Sequence, residues 1–242
     1  MPRGTDGGAP RGDDGPAPYD IPEERLPPGF IETLDNVPAR PAVPHPSATV
    51  VLMREGEDGP EVLLLRRNRA TGFVPGAYVF PGGRVDAADG EDALAERWDG
   101  LTRGAAAGRL GIAPDADPPA IAYYGAALRE AVEETGLLAG VVAANGPPGG
   151  EVVREAREAL LGGGASFAAV LGKLGARLDG GAVEYIAHWI TPEVEPRRYD
   201  TRFFAARVPA GSNAVYDERE MTDAVWLTPR AALDGTGAGG CP

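Results

Sequence analysis

The sequence predicts an α+β fold, in which helices cover a mixed β-sheet as an α/β/α sandwich. Two observations indicate this class. Strand-like apolar runs and helix-like segments follow one another without a regular strand–helix alternation. The chain also has 242 residues of 43% hydrophobic content, which is enough to bury the core of one domain. Its 35 glycines and 24 prolines further predict long loops and disordered ends.

The composition argues against several classes of partner and location. A net charge of −13 disfavours binding to nucleic acid or to an anionic membrane. No run approaches 18 apolar residues, the N-terminus lacks an apolar signal core, and the single Cys241 cannot form an intrachain disulfide. We therefore expect a soluble, cytoplasmic protein. The net charge leaves a phosphate-bearing small molecule open as a partner, because a bound cation can reverse the local sign of the charge. The sequence leaves the oligomeric state open, and a homodimer is one of the states it permits.

Three regions are predicted along the chain. Residues 1–44 are rich in Gly, Pro, Asp and Arg and are expected to be a disordered leader. The folded domain is expected over 45–234, with a helical insertion at about 90–117. The tail, 235–242, carries no structural signal.

Apolar and β-branched runs predict the strands, and apolar periodicity with end signals predicts the helices. Strands are expected at 48–53, 61–67, 77–80, 137–141, 182–190, 201–208 and 224–227. The first two form a hairpin around a loop at 55–60. Helices are expected at 91–110, from Pro118-Pro119 to a cap at Gly136, at 151–161, at 165–174 and from 228–230 onward.

The helix that ends at Gly136 gathers three carboxylates. At about 100° per residue, Glu130, Glu133 and Glu134 fall on one face, opposite an apolar face. Three like charges at this spacing repel and need a cation. Carboxylate oxygens are the ligands that Mg²⁺ and Mn²⁺ prefer. The alternative is a solvated helix face in which Arg129 pairs with Glu133.

Gly83, Asp89 and the run 129–137 together resemble the Nudix box, in which a carboxylate follows a glycine and precedes an Arg-Glu…Glu-Glu helix. In this chain 39 residues separate Asp89 from Arg129, where the box has seven. The acyl-CoA diphosphatase branch of the Nudix superfamily is similar in carrying a long insertion here. Asp89 stands where the family has Glu, and the insertion leaves its role unassigned by sequence.

A second motif, found upstream of the box in coenzyme A-cleaving Nudix enzymes, is matched in part. The matching positions are Leu63, Leu64, Arg67, Gly76 and 80–83. Leu65, Asn68 and Gly72 depart from it. The resemblance to the superfamily is therefore stronger than the resemblance to its CoA-cleaving members.

The resemblance implies roles for particular residues. Glu130, Glu133 and Glu134 would hold Mg²⁺ or Mn²⁺, and Arg129 would pair with a box carboxylate. The Gly82-Gly83 backbone and the side chains of Arg66 and Arg67 would contact substrate phosphates. Glu134 is the first candidate for the general base, and Glu220 is the second.

The function implied is metal-dependent hydrolysis of CoA or acyl-CoA to 3′,5′-ADP and phosphopantetheine or its acyl derivative. One alternative is hydrolysis of ADP-ribose, NADH or a nucleotide sugar. Another is a non-catalytic Nudix domain that binds a nucleotide as a sensor. For the insertion we hypothesise a lid over the pantetheine arm.

Overall fold

The computed structural model describes residues 31, 38–68, 76–217 and 220–234. Most of the predicted leader and all of the predicted tail lie outside these residues. The strands are β1 His45–Gly56, β2 Gly59–Arg67, β3 Tyr78–Val79, β4 Gly82–Arg84, β5 Trp98–Asp99, β6 Val141–Ala143, β7 Ala176–Asp179, β8 Val183–Ile190, β9 Tyr199–Arg207 and β10 Met221–Leu227. The helices are α1 Asp92–Ala95, α2 Arg103–Leu110, α3 Ala120–Thr135, α4 Gly150–Leu161, α5 Phe167–Lys173 and α6 Pro229–Asp234, with a 3₁₀ turn at Ala87–Gly90.

Within the described residues, seven strands form a mixed sheet in the order β10-β2-β1-β9-β8, with β3 on β2 and β4 on β1. The central strand β1 runs parallel to β9 and antiparallel to β2 and β4. The start of β1 pairs with β4, and its end pairs with β2. This arrangement places the Gly82-Gly83 backbone beside the start of the central strand. The predicted α+β class with a mixed sheet is confirmed.

Helix α3 is the central helix, and its predicted ends are confirmed. Pro119 precedes the first turn, and Gly136 closes the helix in the left-handed conformation at φ 67°. Its burial differs from the amphipathic pattern, because residues 120–129 are buried on every side. The helix packs against β1, β9, α2 and α4. Its polar face is confined to the last two turns, where the three glutamates lie.

The insertion is less helical than the sequence predicts. The single helix expected over 91–110 is wrong in its middle, where Trp98–Asp99 forms β5 and Gly100 adopts φ 71°. In the described part of the chain, β5 pairs with β7 and β7 with β6 in a second sheet of three strands. β7 was not predicted, although its residues alternate between buried and exposed, because the alternation lasts only four residues.

Two further boundaries differ from expectation. The strand expected at 137–141 begins at Val141, because Gly140 adopts φ 63° and breaks the extended backbone. The hairpin loop expected at 55–60 is a two-residue turn, since Gly56 and Gly59 already pair. No helix within the described residues has the length and apolar content to cross a membrane.

Aromatic side chains join the insertion to the main sheet. The ring of Trp98 meets that of Tyr124 edge-on at 6.0 Å, and Tyr124 lies 4.5 Å from Phe204 of β9. Leu94, Leu101, Ala106 and Leu110 of the insertion are also buried. The insertion is therefore part of the hydrophobic core.

Candidate active site

Arg129, near the C-terminal end of α3, is 7% exposed and lies at the centre of the site. Its Nε and Nη2 donate to the two carboxylate oxygens of Asp89 at 2.9 and 3.0 Å. Its Nη1 donates to Glu130 Oε1 at 2.9 Å and to Glu133 Oε2 at 2.8 Å. Its Nη2 also donates to the carbonyl oxygen of Arg84 at 2.8 Å. One guanidinium thus binds three carboxylates and the loop that precedes the insertion.

The 39 residues between Asp89 and Arg129 do not separate them in space. The insertion leaves and rejoins the box at neighbouring points, since a Cβ built on Gly90 would lie 3.0 Å from Pro119 Cγ. A Cβ on Gly125 of α3 would lie 3.0 Å from the carbonyl oxygen of Asp89. Asp89 itself is 2% exposed. The box is therefore closed around Arg129 despite the insertion.

Gly82 and Gly83 pack tightly against their neighbours. The N–H of Gly82 donates to Glu134 Oε2 at 3.2 Å. A Cβ on Gly83 would overlap the carboxylate of Glu130, and one on Gly82 would lie 2.8 Å from Thr49 Cα. The backbone at these glycines therefore lies close to α3 and β1, and the N–H of Gly82, expected to face substrate phosphates, is bonded to Glu134. The same contacts fix the loop against the box glutamates.

Burial gives the glutamates unusual proton affinities. It raises the pKa of Glu130 to about 7, with Arg129 opposing the rise and Glu133 adding to it. It raises the pKa of Glu134 to about 8, and repulsion from Glu130 adds to the rise. The pKa of Glu133 is raised by burial as well. Burial lowers the pKa of Arg129, but Asp89 and both neighbouring glutamates outweigh it, so the guanidinium stays charged.

Two cavities meet at Glu134. The acidic cavity, of about 230 Å³, is lined by Glu130, Glu133, Glu134, Arg157, Leu161, Asp217, Glu220 and Met221. The loop cavity, of about 300 Å³, is lined by Ser47, Thr49, Arg67, Val79, Phe80, Gly82, Gly83, Arg84, Glu134, Tyr199 and Thr201. A ligand with a charged centre and two arms could therefore extend away from Glu134 in two directions.

The two predicted phosphate-binding arginines are not equivalent. Successive residues of a strand point to opposite faces of a sheet. Arg67 lines the loop cavity, and its charge opposes the rise in the pKa of Glu134. The guanidinium of Arg66 instead lies 5.7 Å from the ring centre of Tyr78, and Arg66 lines neither cavity. Arg67 is placed at the site with the two glycines, whereas Arg66 is not.

Glu220, the second candidate base, reaches the acidic cavity with the three box glutamates. The carbonyl oxygen of Glu220 accepts a hydrogen bond of 2.8 Å from the N–H of Asn68, at the end of β2. The carboxylate of Glu220 repels that of Glu134 and contributes to the raised pKa of Glu134. The structure therefore brings both candidate bases to one cavity.

Arg157 and Asp217 also line the acidic cavity, and neither was predicted. The Nε of Arg157, on α4, donates to the carbonyl oxygen of Glu133 at 2.8 Å. That carbonyl belongs to the last turn of α3, where carbonyl groups lack helical partners and a cation is favourable. The sequence offered one weak signal, which is that Val153, Arg157 and Leu161 recur every fourth residue along one helix face.

The donor set suits a hard divalent cation. Glu130, Glu133 and Glu134 each use one carboxylate oxygen in the contacts described, and Glu134 receives no charged partner among them. Burial is the main cause of the raised pKa values of Glu130 and Glu134, and repulsion between neighbouring glutamates adds to it, so a bound cation would favour the ionised carboxylates. Within the described residues, no three His, Cys, Asp or Glu side chains are already arranged as metal ligands. Oxygen donors of this type fit Mg²⁺ or Mn²⁺.

Comparison with known proteins adds to this geometry. No protein-family model matches the chain. It is 27% identical over 207 residues to the acyl-coenzyme A diphosphatase NUDT19 of Xenopus laevis, covering 72% of this chain and 54% of that protein. It is 30% identical over 212 residues to human NUDT19, covering 73% of this chain and 56% of that protein. The chain thus spans about half the length of the curated relatives it matches.

A crystal structure of a NUDIX hydrolase from Alicyclobacillus acidocaldarius is similar over most of both chains. The TM-score is 0.65 and the identity 28%, covering 82% of this chain and 85% of that one.

Fold and site together define a Nudix-type α+β domain with all three box glutamates in place. Within that class, the chain resembles the acyl-CoA diphosphatases named NUDT19. The resemblance predicted from the box, and the fold class that it implied, are confirmed.

Proposed function

We propose that the chain is a divalent-metal-dependent diphosphatase. It would cleave CoA or acyl-CoA to 3′,5′-ADP and phosphopantetheine or acyl-phosphopantetheine. The observation that carries this proposal is the closed box, in which Asp89 binds Arg129 across the insertion and three glutamates remain. The NUDT19 name of the relatives supports the choice of substrate.

Glu130, Glu133 and Glu134 would hold Mg²⁺ or Mn²⁺. The metal would supply neutralisation of the diphosphate charge and polarisation of the phosphorus. Arg129 orients Glu130 and Glu133 by binding one oxygen of each. The guanidinium of Arg67 would bind phosphate oxygens in the loop cavity. Glu134, which lines both cavities, takes the proton of the attacking water.

The alternative substrates are ADP-ribose, NADH and nucleotide sugars, which the three departures from the CoA motif favour. One departure has a structural explanation. Leu65 is 0% exposed in the core, so the side chain at that position contacts no ligand. Asn68 follows β2 at its exit, and Gly72 lies outside the described residues. The sensor alternative is disfavoured because the chain retains all three box glutamates.

Chromatography of the products tests the proposal. The protein is incubated with CoA, acetyl-CoA, ADP-ribose and NADH, each with Mg²⁺, with Mn²⁺ or with a chelator. Metal-dependent 3′,5′-ADP from the CoA compounds supports the proposal. AMP from the other two substrates would move the assignment to the alternative. Binding of these compounds without any product would favour the sensor.

A cytoplasmic location and the lack of nucleic-acid and membrane partners remain predictions. Cell fractionation and binding assays with DNA and anionic vesicles would check them.

A further inference from the structure

A third cavity, the apolar groove, lies beside the acidic cavity and has a volume of about 550 Å³. Its apolar walls include Leu137, Leu138, Val141, Val142, Pro147 and Val153. Its charged lining residues are Asp179 and Arg207, whose formal charges cancel. An uncharged, apolar group therefore suits the groove better than an anion does.

Helix α4 connects the groove to the acidic cavity. Val153 lines the groove, whereas Arg157 and Leu161 line the acidic cavity. Residues four apart lie on one helix face, about 6 Å from each other. One side of α4 therefore passes from the apolar groove to the acidic cavity within about one turn.

The end of α3 gives a second connection. Gly136, the cap of α3, lines the groove and lies two residues after Glu134. A Cβ on Gly136 would be 3.8 Å from Arg157 Cδ. The groove thus borders the acidic cavity at Arg157, whose Nε is fixed by the carbonyl oxygen of Glu133.

This juxtaposition fits a ligand whose anionic diphosphate is joined through a flexible arm to an apolar chain. We propose that the apolar groove receives the pantetheine arm where it leaves the acidic cavity and binds the acyl chain of an acyl-CoA beyond it. The diphosphate of that acyl-CoA lies in the acidic cavity. The proposal rests on the proposed diphosphatase function and names the part of the protein that selects acylated substrates.

Two substitutions on opposite walls test the groove. Val153→Glu, on α4, and Val142→Glu, on β6, each add a charge to the apolar lining. Val142 is 57% exposed, so its substitution leaves the fold intact. The matched control is Val152→Glu, because Val152 neighbours Val153 on α4, is 46% exposed and does not line the groove.

The measurement is kcat/KM for dodecanoyl-CoA relative to that for CoA, with 3′,5′-ADP release as the readout. In the unmodified protein we expect the ratio to rise with acyl length, by up to about fourfold for each buried methylene. Val153→Glu and Val142→Glu should lower the dodecanoyl-CoA to CoA ratio by about tenfold or more. Val152→Glu should leave it within about twofold.

If the dodecanoyl-CoA to CoA ratio is unchanged in both groove variants and CoA is still cleaved, the proposal that the groove binds the acyl chain is overturned. The proposed diphosphatase function is then unaffected. An altered oligomeric state in these variants without a change in the ratio also overturns the proposal for the groove, because the groove is then an interface between copies. If the unmodified protein releases 3′,5′-ADP from neither substrate, the proposed function fails first.

Discussion

Arg129 uses all of its hydrogen-bonding capacity within the site. A guanidinium has five N–H donors in a fixed plane. Here they reach Asp89 twice, the carbonyl oxygen of Arg84, Glu130 and Glu133. A lysine has three donors on one nitrogen and could not span these partners. The sequence predicted that Arg129 binds a box carboxylate, but it could not show that Asp89 is the bidentate partner, because distance along the chain says nothing of loop closure.

Asp89→Asn should lower the free energy of unfolding by about 2–4 kcal/mol, because it removes the charge that a buried arginine binds through two oxygens. Asp86→Asn is the control. Its carboxylate is 3.8 Å from Arg129 and 67% exposed, so a change of less than about 0.5 kcal/mol is expected. Urea unfolding measures both. Equal losses in the two variants would show that the bidentate geometry contributes nothing special.

Replacing the first candidate base should slow the reaction more than replacing the second. Glu134→Gln is expected to lower kcat by about 10²–10⁴-fold at saturating Mg²⁺, because Glu134 borders both cavities. Glu220→Gln should lower kcat by less than about tenfold. Steady-state kinetics across pH 6–9 compare the two. The opposite ranking would assign proton removal to Glu220.

The two adjacent glycines should respond differently to alanine. In Gly83→Ala the new methyl meets the end of the Glu130 side chain, which can move, so activity falls by about tenfold or more while stability changes little. In Gly82→Ala it meets Ala48 O at 2.6 Å and Thr49 Cα at 2.8 Å, which are backbone atoms. That variant should lose about 1–3 kcal/mol of stability. Thermal unfolding and turnover, measured side by side, separate the two effects.

Among the elements, those with strong end signals were predicted well, and short ones were not. Helix α3 has a proline before its first turn and a left-handed glycine at its end, and both boundaries were correct. β7 is four residues long, and its pairing with β5 joins segments about 80 residues apart, which no local pattern reveals. The sequence could not predict the cavities either, because Arg157 and Glu134 come together only when α4 packs on α3.

The insertion behaves as a core element, and its residues line neither the acidic nor the loop cavity. Trp98→Ala should therefore lower the free energy of unfolding by about 3–5 kcal/mol, because it removes the buried ring that meets Tyr124. KM for CoA should change by less than about twofold. Denaturant unfolding and kinetics check this. A large rise in KM at unchanged stability would instead favour the hypothesis that the insertion acts as a lid over the pantetheine arm.

At the scale of the whole molecule, the net negative charge and the carboxylates of the site act in the same direction, because both repel anions. The net charge of −13 repels an anionic substrate, and the carboxylates of the acidic cavity add to that repulsion locally. Bound divalent cations reverse the local sign. Proton uptake would relieve the same repulsion, so metal binding at the proposed site would compete with protonation of Glu130 and Glu134.

This competition predicts the pH dependence of metal stabilisation. Folding raises the pKa of Glu130 to about 7 and that of Glu134 to about 8, above the ordinary value of 4.5. The folded state therefore binds protons more tightly, and the metal-free protein loses stability as pH rises from about 4.5 to 8. Mg²⁺ needs the ionised carboxylates, so it should raise Tm by about 5 °C at pH 8.5 and by less than about 1 °C at pH 6.

Calorimetry with and without MgCl₂ measures the effect. NaCl at matched ionic strength is the control, because it screens the net charge without binding the carboxylates. A Tm gain that is equal at both pH values, or that NaCl reproduces, would contradict direct binding of Mg²⁺ at these glutamates.

Gly90 and Pro119 lie close together, so the insertion begins and ends at neighbouring points of the fold. A segment that begins and ends at such points can differ in length without separating Asp89 from Arg129, provided that its buried side chains still fill the core. A search that scans for fixed intervals along a chain would pass over this protein, whereas a search for carboxylates grouped around a buried arginine would find it. A foreign domain added at this junction would therefore have to leave the buried side chains of the insertion in place.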